Sequence, residues 1–262
     1  MGSATTQALA ATEAALSAAP GIDLGVAREL FAAARALGGS SQLSGALADS
    51  AAETAARTKV VTEVFAGFRP TTISLLTTAV AERWSSADDL VTGIEELAVR
   101  AASVSDAHVD VEGELFRFSR TVAENPELEL ALGSRLGDDS AKGALIETLL
   151  RGRASDPTLL IVSSLVQQPR ERRVRQLLDR AIAVVSDQRG RSVATVVSAA
   201  PLSAAQLDRL TAALSNRYGA QVSINTLVDP TVVGGLRVQI GDDVIDASIS
   251  TRLYDLRQRL AG

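Results

Sequence analysis

Residues 191–203 read Arg191-Ser-Val-Ala-Thr-Val-Val-Ser-Ala-Ala-Pro-Leu-Ser203, and the chain changes character there. Val193 to Val197 is rich in β-branched side chains, which suit a pleated, half-buried surface, so the run predicts a strand closed by Pro201. Ser203 and Gln206 have the spacing of a capping box, which opens a helix over 204–218 with Gly219 at its stop. Val222 to Val228 predicts a second strand. Asp229-Pro230 then turns the chain, and Gly234-Gly235 supplies a second turn or bulge. Leu236, Val238 and Ile240 alternate with Arg237 and Gln239, the period of two that marks a strand with one buried face. Gly241-Asp242-Asp243 reads as a three-residue hairpin connection into a strand over 244–249. A terminal helix over 250–260 then places Leu253, Leu256 and Leu260 on one face. The tail is a small α+β unit, too short to be very stable alone.

Upstream of Gly190 the pattern is helical almost throughout. An alanine-rich helix over 8–19, with Leu9 and Leu16, ends at Pro20-Gly21. Asp23 caps a helix through Leu30, Phe31 and Leu37, which Gly38-Gly39 closes. Leu43 and Leu47 begin a short helix. Ala51 to Phe65 places Val60, Val61, Val64 and Phe65 at helical spacing, and Pro70 separates it from a helix over 71–84 ending at Trp84. Asp88-Asp89 open a long helix holding Leu90, Val91, Ile94, Leu97 and Ala98, because acidic side chains favour the unpaired N–H groups of a helix start.

The next segment repeats this one at a shift of 85 residues. Leu30-Phe31 meets Leu115-Phe116, and Arg35 meets Arg120. Leu47 meets Leu132, Val61 meets Ile146, Phe65 meets Leu150, Leu75 meets Leu160 and Val80 meets Leu165. Leu97-Ala98-Val99 meets Ile182-Ala183-Val184 more loosely. This reads as a tandem duplication of a helical unit. The expected organisation is a helical bundle over 1–105, a duplicated helical unit over 106–190 and an α+β domain over 191–262, mainly α in class.

Composition narrows the chemistry. With no cysteine and one histidine, disulfides, thiol catalysis and Cys- or His-clustered metal sites are excluded. The net charge of −5, with segment balances of −4, −2 and +1 over 1–105, 106–190 and 191–262, is not that of a dedicated nucleic-acid binder. Neither a leader peptide nor a membrane span is read in the sequence. His108 reads as an exposed linker residue. Asp242, Asp243 and Asp246 fit no standard cation loop, and Gly234-Gly235 lacks the lysine and helix of a phosphate loop. Arg170, Arg172, Arg173 and Arg175 form the sharpest charge cluster. It reads as a solvated helix face or one that meets an acidic partner, with RNA or an anionic lipid surface as the rival.

The tail carries a resemblance. Val193 through Pro201 to Ser203, with Gln206 and Leu210, then Val228-Asp229-Pro230, then Val233-Gly234-Gly235-Leu236 through Gly241-Asp242, then Val244-Ile245-Asp246-Ala247-Ser248, resembles the C-terminal domain of the delta subunits of F-type ATP synthases. Their mitochondrial relative is the oligomycin-sensitivity-conferring protein. Ala247 departs from the glycine of many relatives. The Phe31–Trp84 region resembles the family's N-terminal bundle more loosely, and the added unit over 106–190 resembles the long actinobacterial form.

The resemblance implies a non-catalytic stator subunit without cofactor. Its N-terminal bundle would grip N-terminal helices of the alpha subunits, and its C-terminal domain would hold the end of a b-type stalk. Contact with the membrane would be indirect, at its cytoplasmic face. The family binds its head helix with its first and fifth helices. That points to Leu9 and Leu16 on one wall of a groove and to Leu90, Ile94 and Leu97 on the other, with Leu253 and Leu256 as stalk contacts.

Overall fold

The computed structural model describes residues 2–134, 138–170, 172–219, 221–230, 232, 234–240 and 243–246. It divides into two compact units, residues 1–184 and 185–262.

The first unit is helical. α1 (Ser3–Ala18), α2 (Leu24–Gly38), α3 (Ser41–Ala48), α4 (Thr54–Val64), α5 (Pro70–Ala81) and α6 (Ala87–Val104) come first. α7 (Val111–Glu124), α8 (Pro126–Gly133), α9 (Asp139–Leu150), α10 (Asp156–Gln167) and α11 (Val174–Gln188) follow, the last running across the boundary. The starts obey capping chemistry. Asp23 accepts the Val26 N–H, Ser40 the Leu43 N–H and Ser86 the Asp89 N–H, each satisfying a donor that the first turn leaves open. Pro70 is the first residue of α5, where a missing N–H costs nothing.

Several helix limits differ from the sequence reading. α4 starts at Thr54 and not at Ala51. α1 starts at Ser3, because alanine and threonine extend it ahead of the first leucine. α5 stops at Ala81, and Trp84 folds back beyond it. The indole is buried and donates to the Ala79 carbonyl at 2.7 Å. Its ring lies against Gly93 of α6, where an added Cβ would come within 2.1 Å of it. Val64, expected on the apolar face of α4, is half exposed, while Val61 and Phe65 are buried.

The helices recur. α3 and α8 are 85 residues apart at both ends, and α2 and α7 overlap at the same shift. Leu30 and Leu115, Leu37 and Val122, Leu47 and Leu132, Val61 and Ile146, and Phe65 and Leu150 are buried in both copies. The match slips by one residue at the fourth helix. Leu75, Leu76, Ala79 and Val80 correspond to Ile161, Val162, Leu165 and Val166, all buried. Leu160, the partner expected for Leu75, is only partly covered. One extra residue at the end of α9 accounts for the slip. The loose match of Leu97–Val99 with Ile182–Val184 also fails, since Ala183 is exposed where Ala98 is buried.

A hydrogen-bond clamp is duplicated as well. Glu29 Oε2 accepts the Arg69 N–H at 3.0 Å and the Thr72 hydroxyl at 2.5 Å. Glu114 Oε2 accepts the Ser155 N–H at 2.9 Å and the hydroxyls of Ser155 and Thr158 at 2.6 and 2.5 Å. In each copy a glutamate of one helix thereby caps the start of another (α2 on α5, α7 on α10).

The second unit holds β1 (Arg191–Ser198), α12 (Ala204–Tyr218), β2 (Gln221–Val228), β3 (Leu236–Ile240) and β4 (Asp243–Asp246). The sheet order is β2-β1-β3-β4, with β1 parallel to β2 and the other pairs antiparallel. The capping box of Ser203 and Gln206 forms, and Gly219 takes a φ of +66° at the end of α12. Ala194, Val196, Leu214, Val222 and Val238 make the core. Ile240 pairs with Asp243, so Asp243 belongs to the strand and two residues rather than three connect it to β3. Asp243 also accepts the Tyr218 hydroxyl. Gly241, Asp242 and the expected terminal helix, with Leu253 and Leu256, lie outside the described residues.

Burial raises the Glu114 carboxyl, but hydrogen bonds from Ser155 and Thr158, with Arg117 nearby, outweigh it and hold it below its ordinary value of 4.5. Its contribution to stability is therefore complete above pH 4.5 and lost as pH falls through the folded-state value. Glu114→Ala should destabilise the protein by about 1–2 kcal/mol in urea titrations at neutral pH. Glu114→Gln should flatten the loss of stability in acid.

Candidate functional site: the paired helix α6 and two open clefts

α6 packs against α1, α2, α3, α5 and α10, and it is buried nearly all round. Such a helix can carry charge only if each charge is paired. Arg172 grips Glu95 as a fork, with N–O distances of 2.7 and 2.9 Å. Arg170 donates to Thr92 at 3.0 Å and reaches Glu95 at 3.4 Å. Arg180 donates to Glu96 at 3.0 Å, Arg100 also donates to Glu96 at 3.0 Å, and Arg100 meets Glu13 of α1 at 3.2 Å. The network thus joins α1, α6 and the entrance and body of α11.

Arg170 pays a local conformational cost, having a φ of +44°, a region that side chains with a Cβ seldom occupy. Burial lowers its pKa, opposed by the neighbouring carboxylate of Glu95.

The cluster read as a free basic face is therefore largely committed within the chain. Arg170 and Arg172 are held by Glu95, and Arg175 by Glu129 at 3.0 Å. Arg173 alone of the four is exposed with no side-chain partner among the described residues. The rival reading as an RNA or lipid surface loses its main support. The pairing leaves one sequence signal: adjacent Glu95 and Glu96 in a helix otherwise apolar on most faces.

The residues singled out for a head-binding groove lie inside. Leu90, Ile94, Leu97 and Leu16 are buried and Leu9 is partly covered. The outer face of α1 is formed instead by Gln7, Ala10, Ala14, Ser17 and Ala18, all exposed.

Two of the clefts among the described residues bear on function. One, of about 470 Å³, lies between α8 and the residues Pro169 and Arg172 to Arg175, with the exposed Leu130 in its lining. The other, of about 660 Å³, belongs to the second unit and is lined by Pro201, Leu202, Leu210, Gly235 and Leu236. Two of the motif residues, Pro201 and Gly235, thus meet at one surface. The Asp229 N–H donates to the Ser198 carbonyl at 2.8 Å, which fixes the chain ahead of Pro230. Gly234 and Gly235 take φ of +67° and +84°, where a side chain would be strained. Asp246 stands opposite Arg237 in the ladder, and His108 is exposed. Among the described residues no grouping of His, Asp or Glu could hold a metal ion.

The architecture is therefore a mainly helical, internally repeated unit followed by a small α+β unit. The family model for the ATP synthase delta (OSCP) subunit matches residues 97–260. The chain is 46% identical to the ATP synthase subunit delta of Leifsonia xyli subsp. xyli over the whole of both chains. It is 41% identical to that of Kineococcus radiotolerans over 93% of this chain and 91% of the relative. With that of Streptomyces avermitilis it shares 46% identity over 71% and 70%. The chain belongs to the ATP synthase delta (OSCP) subunit family.

The family match begins within α6 and runs through the second set of helices into the tail. It therefore falls on the unit expected to be the addition, and the Phe31–Trp84 region lies outside it. α6 explains this. The shift of 85 that relates α2 to α7, α3 to α8 and the starts of α4 and α9 also carries α1 (Ser3–Ala18) onto α6 (Ala87–Val104), so α6 closes the first bundle and also opens the second.

Removing Glu95 leaves two guanidinium groups without their carboxylate. Glu95→Ala should cost about 3 kcal/mol in chemical denaturation. Glu63→Ala, which breaks an exposed pair with Lys59, should cost well under 1 kcal/mol.

Proposed function

We propose that the chain is a peripheral-stalk (stator) subunit of an F-type ATP synthase, linking the alpha subunits of the catalytic head to a b-type stalk. Full-length similarity to chains named ATP synthase subunit delta carries the reading. Rotation can drive ATP synthesis only if the head is held still, so the part asked for is a rigid coupler without an active site of its own. A bundle whose central helix is pinned by ion pairs to α1 and α11 suits that task. The work divides as a head-facing bundle over 1–105, a duplicated spacer over 106–190 and a stalk-facing domain over 191–262. The setting is the cytoplasmic face of the membrane, reached through partners; no described helix is long and apolar enough to cross it.

For the head, the pairs α1/α5 and α6/α10 are equivalent by the repeat. α6 is enclosed, whereas α1 keeps a face of small side chains in solvent. A helix of an alpha subunit can approach such a face closely, with Leu9 and Leu16 stiffening the wall from beneath. For the stalk, the cleft at Pro201, Leu202, Leu210 and Leu236 offers apolar surface to the end of a b-type helix. The sequence-derived stalk contacts Leu253 and Leu256 lie outside the described residues.

Calorimetric titration of the full chain with a peptide covering the alpha subunit's N-terminal helix should give saturable one-to-one binding. Ala14→Arg should abolish it without moving the thermal midpoint. Binding that survives Ala14→Arg would transfer the head site to the second bundle, where the family match lies. No binding to the peptide or to a head stripped of its delta subunit would remove the coupler reading.

A further inference from the structure

The cleft between α8 and the residues Pro169 and Arg172 to Arg175 counts Pro126, Leu130, Pro169 and Val174 among its apolar lining. Leu130 is 75% exposed, well beyond any other exposed large hydrophobic residue among those described. Water-exposed leucine beside a concave apolar surface marks a place where burial by another molecule is favourable. The rim is cationic. Arg172 and Arg175 are satisfied by Glu95 and Glu129, while the exposed Arg173 gives its backbone N–H to Gln176 and its guanidinium has no partner among the described residues.

The repeat supplies an internal control. α3 is the counterpart of α8, and the position matching Leu130 there is Gly45. The segment entering α6 at Ala87 reads Ser85-Ser86-Ala87-Asp88, and the one entering α11 at Val174 reads Arg172-Arg173-Val174-Arg175. One copy thus carries a glycine and an acidic entry where the other carries an exposed leucine and a basic entry. Neither Leu130 nor the charge of Arg173 is required by the fold of the repeat.

We propose that this cleft docks a short acidic, amphipathic segment of a partner protein. One aliphatic side chain of that segment covers Leu130, and a neighbouring carboxylate pairs with Arg173. The observations favour a peptide over nucleic acid or lipid. A single free guanidinium in a concave, partly apolar site neutralises one carboxylate well and a phosphate chain poorly. The site is distinct from the head and stalk surfaces proposed above and does not depend on them.

The test is fluorescence anisotropy of the full chain with a labelled helical peptide that presents leucine and glutamate on one face. Oligoglutamate of equal charge, oligouridylate and phosphatidylglycerol vesicles are the comparison probes. The peptide should bind one-to-one, and Leu130→Asp and Arg173→Glu should each weaken it at least about fivefold. Arg153→Glu, an exposed arginine elsewhere, should leave it unchanged. Both cleft positions are exposed, so the variants should keep the parent's thermal midpoint; Leu130→Ser replaces Leu130→Asp if that variant does not. Absence of peptide binding, equal binding of oligoglutamate, or an affinity unmoved by the Leu130 change would each overturn the proposal. Preferred binding of oligouridylate or vesicles, lost in Arg173→Glu, would overturn it in favour of a phosphate-bearing partner.

Discussion

The arginine–carboxylate pairing of Glu95 and Glu96 decides how the helical unit is put together. A helix buried on most sides cannot keep unpaired charges, so Glu95, Glu96 and Arg100 require partners supplied by other helices. Glu13 comes from α1, and Arg172 and Arg180 from the chain at and within α11. These are helices from opposite ends of the unit, and the charges select which surfaces of α6 they may occupy. Apolar packing of alanine and leucine is tolerant of rotation and sliding, whereas a forked guanidinium on a carboxylate is directional. Leucine and valine supply the bulk of the burial, and the ion pairs set the register.

Where a feature is local, the residues announce it. Asp23, Ser203 with Gln206, and Pro70 mark helix starts because each acts on groups within one turn. The alternation of Leu236, Val238 and Ile240 marks a strand because pleating is a property of the strand itself, although burial there is complete only at Val238. The tail motif is likewise contiguous, and Pro201 and Gly235 come together at one cleft. Failures begin where the partner is remote. Arg172 and Glu95 are 77 residues apart, and no periodicity connects them. The basic run was legible as a run, but its internal neutralisation was not. The slip of one residue at α10 is hidden because an apolar residue stands opposite Leu75 at either register, Leu160 or Ile161, and only burial separates them. The hairpin presented the same ambiguity, since Gly-Asp-Asp suits a turn of two residues or three.

The double role of α6 was the least legible feature and the one that most changes the account of the candidate site. Alanine-rich α1 has too weak an apolar pattern to align by eye with α6, so the duplication looked like two separate bundles. Recognising α6 as a member of both explains why the family match starts inside it. Leu90, Ile94 and Leu97, chosen as one wall of an open groove, are covered because α6 packs against helices of both copies, α2 most extensively.

Sharing a helix has a mechanical consequence. Two bundles joined by a linker separate by peeling, in which contacts rupture one after another under a small force. Bundles that hold one rod in common, about 27 Å long at 1.5 Å per residue for 18 residues, have no such linker, and parting them means stripping contacts from the shared rod itself. The duplication therefore adds a second bundle without adding a compliant joint.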